Sequence, residues 1–373
     1  MHTDIPRFSP IQHETRLPVQ NEFMYYVQQQ HLLNSTDWRP AGTKSPSPSL
    51  DRSMRPFSIV SVFSAGKAGT GNQLLVVFDD DPTSTTRLTE KQRTGIAREI
   101  GFAESIFISR AATTIDDDDD DDAKEGLRRF AHIHFGDGRA TAFAGHPILG
   151  AAFALNERRG GGVEKIILEL TDDTVVNVSA EDKDARLASS WQLAREVGSV
   201  TSEAIAATRN SCEKTTVAAS EIKALLRRGA DGFPDEQRVS IGGVGLDYAL
   251  VRCKDDAAVD AIEMDPDMLG RFSCFFYFYA VTSTSKEEVH ARMFCEENGG
   301  WTEDAATGSA AAALAAVARD IELPVTIHQG VLKGRPSILR ADYIQRANSE
   351  PDAVLVAGSV RLTARGDWID LGW

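Results

Sequence analysis

Two short helices built almost wholly from small residues restrict the fold of this chain more than any other feature. AFAGHPILGAAFAL (142–155) reads as a turn leading into a helix that carries Gly150, Ala151, Ala152 and Ala154. TEDAATGSAAAALAAVA (302–318) reads the same way, with Ser309, Ala310, Ala311, Ala312, Ala313, Ala315, Ala316 and Ala318 on its helix. A helix with small side chains on all sides has no polar face to offer solvent. It suits enclosure, because a surrounding sheet can then approach closely.

Strand-like segments flank both helices. In the first half they are FSIVSVF (57–63), QLLVVF (73–78), ESIFIS (104–109), RRFAHIHF (128–135), EKIILEL (164–170) and TVVNVSA (174–179). In the second they are RLASSWQL (186–193), RVSIGGVGLDYALVRC (238–253, broken at its glycines), CFFYFYAVT (274–282), VHARMF (289–294), VTIHQG (325–330), SILRAD (337–342) and VLVAGSVRLTA (354–364), the last with WIDL (368–371) as its hairpin partner. Thr89 to Ile100 has helical periodicity, with Ile96 and Ile100 on one face. The pattern predicts an α/β (α+β) fold in which a curved sheet or barrel wraps a central helix, made twice.

Composition sets the boundaries. Residues 1–55 are rich in Gln, Ser, Pro and His and read as a mostly mobile extension, with a short helix over Met24 to Leu33 and a linker, TKSPSPSLDRS, over 43–53. Met24, Tyr25, Tyr26 and Val27 are its one group apolar enough to dock, for instance across a partner in a homodimer. Residues 56–184 form the expected N-terminal domain and 185–373 the C-terminal one, two cores for which a length of 373 residues suffices. The unbroken aspartate run Asp116 to Asp122 is read as a solvated loop insertion in the first domain.

No run of about 18 apolar residues exists, so no membrane contact is expected. The N-terminus lacks the apolar core of a secretory signal. The four cysteines, Cys212, Cys253, Cys274 and Cys295, include no C-x-x-C pair. A reducing, cytoplasmic setting is the expectation. A net charge of −15 argues against nucleic acid, but helix N-termini can still bind a small anion inside an acidic protein.

Three residues stand where chemistry is plausible. His146 follows Gly145 at the start of the first small-residue helix, beside free N–H donors, with Pro147 in the first turn where its missing donor is harmless. By itself it could equally be a helix cap. Asp304 lies just ahead of the second such helix, with Thr307, Gly308 and Ser309 at the turn. An N-cap is the bland alternative. Repetition favours function: if the halves face each other, two positive helix ends converge on one cleft and hold a substrate carboxylate. Glu104 opens an apolar strand, either as a surface strand end or as a desolvated carboxyl able to act as a base. No His/Cys/Asp cluster has metal-ligand spacing.

With these motifs in order, the resemblance is specific. AREIGFAESIFI (97–108), FAGHPILGAAFAL, ARMF (291–294), EDAATGSAAAALAA and QGVLKGRPS (329–337) together resemble the phenazine-biosynthesis isomerase family, the PhzF family, within the wider diaminopimelate-epimerase-like fold. The resemblance covers about Phe57 to Trp373. It implies two pseudo-symmetric domains, each a strongly bent sheet around a central helix, with the site between them. It implies acid–base chemistry at carbon with neither metal nor organic cofactor. The family's catalytic glutamate matches Glu104, its GHP histidine matches His146, and its E-D-x-A-T-G-S motif supplies Asp304 and Ser309. Its Gly-Asn pair matches Gly71 and Asn72. Gln73 replaces the usual proline, Gly136 and Asp137 replace Thr-Pro, Ala140 replaces a glutamate, and Trp301 stands where a small aliphatic residue is common. These positions are expected to border the cleft. His146 and Thr307 occupy the turns where the epimerase branch carries its two cysteines, which disfavours a two-thiol racemase.

The resemblance implies a cofactor-independent isomerase of secondary metabolism. Glu104 would move a proton between carbons of a small carboxylate- or carbonyl-bearing substrate, aided by His146 and Asp304. Asn72, Gly145, Thr307, Gly308 and Ser309 would bind that substrate. A lyase that uses the same base to expel a β-hydroxyl, and a non-catalytic binding protein on the same fold, are the rival readings.

Overall fold

The computed structural model describes residues 54–79, 87–110, 126–163, 165–180, 188–196, 213–234, 236–244, 246–271, 274–282, 285–297, 299–345 and 352–369. The expected extension helix, the 43–53 linker and the aspartate run lie outside the described residues.

Residues 54–196 form a ring of strands that one late strand closes; the segment read as opening the second half, 186–193, belongs to this ring as the strand Ala188–Glu196. β1 (Met54–Val62) pairs antiparallel with β2 (Asn72–Phe78), which runs parallel to β3 (Glu104–Arg110). β3 pairs antiparallel with β4 (Leu127–Phe135), β4 runs parallel to β6 (Lys165–Glu169), and β7 (Val175–Ala180) and β8 (Ala188–Glu196) follow antiparallel. β5 (Ala140–Thr141) is a two-residue spur on β4. The last strand of the described chain, β19 (Ala353–Ile369), pairs with both β8 and β1 and closes the ring.

Inside the ring lies α2 (Gly145–Arg158), buried from Gly145 through Asn156. The small residues permit this. A Cβ on Gly150 would stand 2.4 Å from the Leu74 side chain and 2.9 Å from that of Val62, so only glycine lets β1 and β2 press against the helix. Outside the ring, α1 (Glu90–Ile100) covers β3 and β4. It starts on a capping box between Thr89 and Gln92 and stops at Gly101, whose φ of 62° turns the chain out of the helix. Its buried face, Ile96, meets Leu75, Val77 and Phe107.

The second half repeats the succession of pairings. β9 (Glu213–Ala218) flanks β11 (Arg238–Gly242). From β11 the order is β12 (Tyr248–Arg252) antiparallel, β14 (Phe275–Val281) parallel, β15 (Glu288–Glu297) antiparallel and β17 (Val325–Gln329) parallel. β18 (Ser337–Ile344), β19 and β8 then follow antiparallel. β16 (Gly300–Asp304) is the spur, here on β15. β10 (Leu226–Arg228) and β13 (Glu263–Met264) form a separate two-stranded sheet. The enclosed helix is α5 (Gly308–Val317), buried at every position but Ser309. Two one-turn helices, α3 (Ala219–Lys223) and α4 (Asp256–Asp260), cover the outer face of this sheet. One hydrophobic core joins the surroundings of α2 and α5.

Two expectations need correction. Among the described residues β1 begins at Met54, three residues before the strand expected from Phe57, because β19 supplies a partner that far out: Met54 pairs with Ile369. The 354–364/368–371 hairpin does not form. Gly366 and Asp367 look like a turn, but their neighbours Pro56 and Phe57 on β1 offer an open edge, and β19 runs straight through them.

Candidate active site

Glu104 is fixed by the turn before it. Gly101 ends α1, and the Gly136 N–H donates to the Ala103 carbonyl at 3.0 Å. A Cβ on residue 136 would lie 2.3 Å from the Phe102 carbonyl oxygen, so glycine there allows the two turns to meet. Glu104 therefore opens β3 between Leu74 of β2 and Phe135 of β4, with its side chain 14% exposed.

His146 sits at the first turn of α2, 3% exposed. Its Nε2 lies 3.5 Å from Glu104 Oε2. Among the described residues neither atom has a hydrogen-bond partner. Burial pushes the imidazole pKa down to about 3, only partly opposed by its hydrogen bond with the Gln73 backbone. That bond favours a protonated nitrogen, so the Gln73 carbonyl accepts it, and Nε2 is left to face Glu104 as a bare acceptor. Burial, with the nearby Asp304 and Glu297 carboxylates, holds the Glu104 carboxyl well above its ordinary range. Both groups are thus pushed toward their neutral forms.

Asp304 is held differently. It ends β16, opposite Met293. One oxygen accepts from Asn72 Nδ2 at 2.8 Å and the other from the Thr307 hydroxyl at 2.6 Å. Asn72 also donates to the Ala306 carbonyl at 3.1 Å, joining β2 to the turn before α5. Gln329, fully buried at the end of β17, completes the mesh. Its amide nitrogen donates to the Asp304 carbonyl at 3.0 Å and to the Thr307 hydroxyl oxygen at 2.9 Å. Its amide oxygen accepts from the Thr307 N–H and the Tyr277 hydroxyl, each at 3.3 Å. Burial raises the Asp304 pKa, against the pull of Thr307, Asn72 and the Lys333 ammonium.

The two helix ends meet. A Cβ on Gly145 would stand 3.7 Å from Gly308 Cα and from the Ser309 nitrogen. Neither Ala144, ahead of α2, nor Thr307, ahead of α5, caps its helix with a side-chain hydrogen bond. Beside this junction lies a narrow cleft, with room for about one water molecule, lined by Phe143, Gly145, Val244, Gly308, Ser309, Ala312, Val354 and Val356. Ser309 Oγ lies 2.7 Å from the Tyr248 hydroxyl.

The eight residues singled out in the sequence fall into three adjoining groups. Glu104 faces His146. Asn72 and Thr307 are turned onto Asp304. Gly145, Gly308 and Ser309 line the cleft, which Glu104, His146 and Asp304 do not. Sequence reasoning missed Gln329, Tyr248 and Tyr277. Gln329 stood in a quoted motif, but only the fold shows what a buried amide there binds. Trp301 does not border the cleft: its indole N–H donates to the Asp265 carbonyl at 2.8 Å and its ring packs on Phe276 in the outer core. The motif partners Arg292 and Glu303 are structural. They join at 2.8 and 3.1 Å while Arg292 also donates to three backbone carbonyls.

Comparison with known proteins gives consistent findings. Residues 60–366 match the family model described as phenazine biosynthesis-like protein. The chain is 30% identical over 320 residues to trans-2,3-dihydro-3-hydroxyanthranilate isomerase of Pseudomonas aeruginosa, covering 84% of this chain and 99% of that one. It is 28% identical over 318 residues to the isomerase of the same name from Pseudomonas chlororaphis, covering 81% and 97%. Among solved structures, a PhzF-family phenazine biosynthesis protein of Bacillus anthracis superposes with a TM-score of 0.63 at 14% identity, over 84% of this chain and 99% of the other. A predicted epimerase of Pseudomonas aeruginosa does so with a TM-score of 0.59 at 24% identity, over 86% and 100%.

Proposed function

The chain belongs to the phenazine biosynthesis-like family, and from that premise we propose that it moves a proton between two carbons of a small, carboxylate- or carbonyl-bearing metabolite, with Glu104 as the acid/base. It is an isomerase of the PhzF type, and its family and named relatives support a role in the biosynthesis of a secondary metabolite. The observation that carries the role of Glu104 is its contact with His146: two buried polar atoms at 3.5 Å, both without hydrogen-bond partners among the described residues. Buried polar groups are nearly always paired, and exceptions concentrate where a ligand or a reaction completes them.

The electrostatics suit proton transfer at carbon. A carboxyl held above its usual range is a strong base once charged, and a ready donor once it has taken the proton up. His146 stays neutral, so it can share that proton without cancelling the charge of the carboxylate. Asp304, kept rigid by Asn72 and Thr307, maintains the field that raises Glu104. The substrate carboxylate or carbonyl oxygen would lie at Gly145, Gly308 and Ser309, against two uncapped helix ends. Each well-placed donor there contributes on the order of 10² to 10³ in rate. We read residues 56–184 and 185–373 as the two units that carry these ends. Glu104 does not line the present narrow cleft, so a substrate reaching both would need the site to rearrange on binding.

The test uses trans-2,3-dihydro-3-hydroxyanthranilate, the substrate in the relatives' names, as the first candidate in deuterated water. Turnover should place deuterium at one carbon of an isomeric product. Glu104→Gln should keep its circular dichroism spectrum and lose activity by roughly 10²- to 10⁴-fold. Near-normal turnover in that variant removes the acid–base role. A product lacking the elements of water makes the enzyme a lyase.

A further inference from the structure

We infer that Tyr248 is a positioning residue that makes Ser309 an obligatory hydrogen-bond donor toward the cleft, so that the group bound there must be an acceptor oxygen. This deepens the function proposed above and rests on it. Tyr248 opens β12 and is 1% exposed, its ring packed against Phe275 and Tyr277. Among the described residues the only hydrogen-bond partner of its hydroxyl is Ser309 Oγ, at 2.7 Å. Ser309 is the one residue of α5 that is not buried, and it lines the cleft.

The direction of that bond follows from what each hydroxyl can reach. Burial keeps the phenol protonated. If Ser309 donated to Tyr248, the phenolic proton would point into apolar packing without an acceptor, an arrangement that buried donors avoid. With Tyr248 as donor, both hydroxyls are satisfied as soon as a ligand arrives: Ser309 accepts from the phenol, and its own proton is directed into the cleft. A serine free to rotate can give or accept a hydrogen bond. A serine already accepting from Tyr248 discriminates for carboxylate or carbonyl oxygen. The rest of the cleft wall, Phe143, Val244, Val354 and Val356, is apolar and offers no competing donor side chain.

The experiment is a double-mutant cycle with two readouts. Binding of 3-hydroxyanthranilate, an aromatic carboxylate that cannot turn over, is measured by calorimetry. Thermal unfolding is measured without ligand. Tyr248→Phe and Ser309→Ala should each weaken binding about 5- to 30-fold, and the double variant should bind no more weakly than Ser309→Ala. Ser309→Ala should lower the Tm by stranding the phenol, and adding Tyr248→Phe should restore it. Wild-type affinity in Tyr248→Phe, or multiplied losses in the double variant, overturns the inference. So does a double variant with a lower Tm than Ser309→Ala, a result that needs no ligand. Failure of the wild-type protein to bind the probe counts instead against the proposed substrate class.

Discussion

The starts of α2 and α5 are built alike and finished differently. Both are small-residue helices entered through a turn, both lack a side-chain cap, and they abut at Gly145 and Gly308. Ahead of α5, Asp304, Thr307, Asn72 and Gln329 form one hydrogen-bonded mesh. Around α2 the reverse holds, for Glu104 and His146 face each other with atoms unpaired among the described residues. A hydrogen-bonded mesh is rigid, and an unsatisfied pair is destabilised. The difference teaches a contrast between a fixed frame at one helix end and an unsatisfied pair at the other, where the proposed acid–base chemistry would sit.

The contrast breaks most visibly in stability. Gln329→Leu strands the Tyr277 hydroxyl and the Thr307 N–H in the interior and should lower unfolding free energy by about 2 to 5 kcal/mol, measured by urea titration. Glu104→Gln, on the unsatisfied side, should cost nothing at pH 8. If both variants lose equally, the two helix ends are not different in kind.

A pH series sharpens the same point. The Glu104 pKa is raised by burial in the folded state, so its contribution to stability is complete below the unfolded value near 4.5 and is lost as pH rises through the folded one. The Tm advantage of Glu104→Gln over wild type should therefore grow with pH above about 4.5. In wild type, kcat/KM should climb over the same range as the base form appears. His146 acts oppositely. Its folded value of about 3 against 6.5 unfolded means stability present above 6.5 and lost as pH falls toward 3. A Tm difference independent of pH would remove burial as the cause.

Gly145→Ala tests the junction itself. The new methyl would meet Gly308 and Ser309 at ordinary contact distance, 3.7 Å, so the fold should hold while substrate affinity falls several-fold. A change in Tm of more than a few degrees would show that the junction is structural packing. The smallest effect is expected from removing residues 1–50. The ring around α2 closes with strands from 54 onward, so Tm and turnover should stay near wild type. Loss of either would move the first boundary of the map.

Much of this was legible in the sequence because it is local. Small residues at helical spacing exposed α2 and α5, alternation exposed most strands, and Glu104, His146 and Asp304 stood at element ends. What stayed hidden depends on partners far along the chain. β16, Gly-Trp-Thr-Glu-Asp, has no apolar alternation and exists because β15 offers an edge. Tyr248 read as one more strand aromatic, and its role comes from Ser309 on another element. The Gly366 region read as a turn because glycine and aspartate are turn residues, and the open edge of β1 overrode that preference.

The placement of β19 has a consequence for how the protein is made. The ring enclosing α2 takes seven of its strands from residues 54–196 and its eighth from Ala353–Ile369. During synthesis the first half emerges with β1 and β8 as open edges and with the apolar surroundings of α2 unsealed. Closure waits until nearly the whole described chain has left the ribosome. Pairings of such wide sequence separation form slowly, and unpaired edges invite association with other chains in the meantime. A nascent chain arrested before residue 353 is therefore a client for chaperones and a target for proteases, while release of the last strand converts it into a protected particle in a single late step.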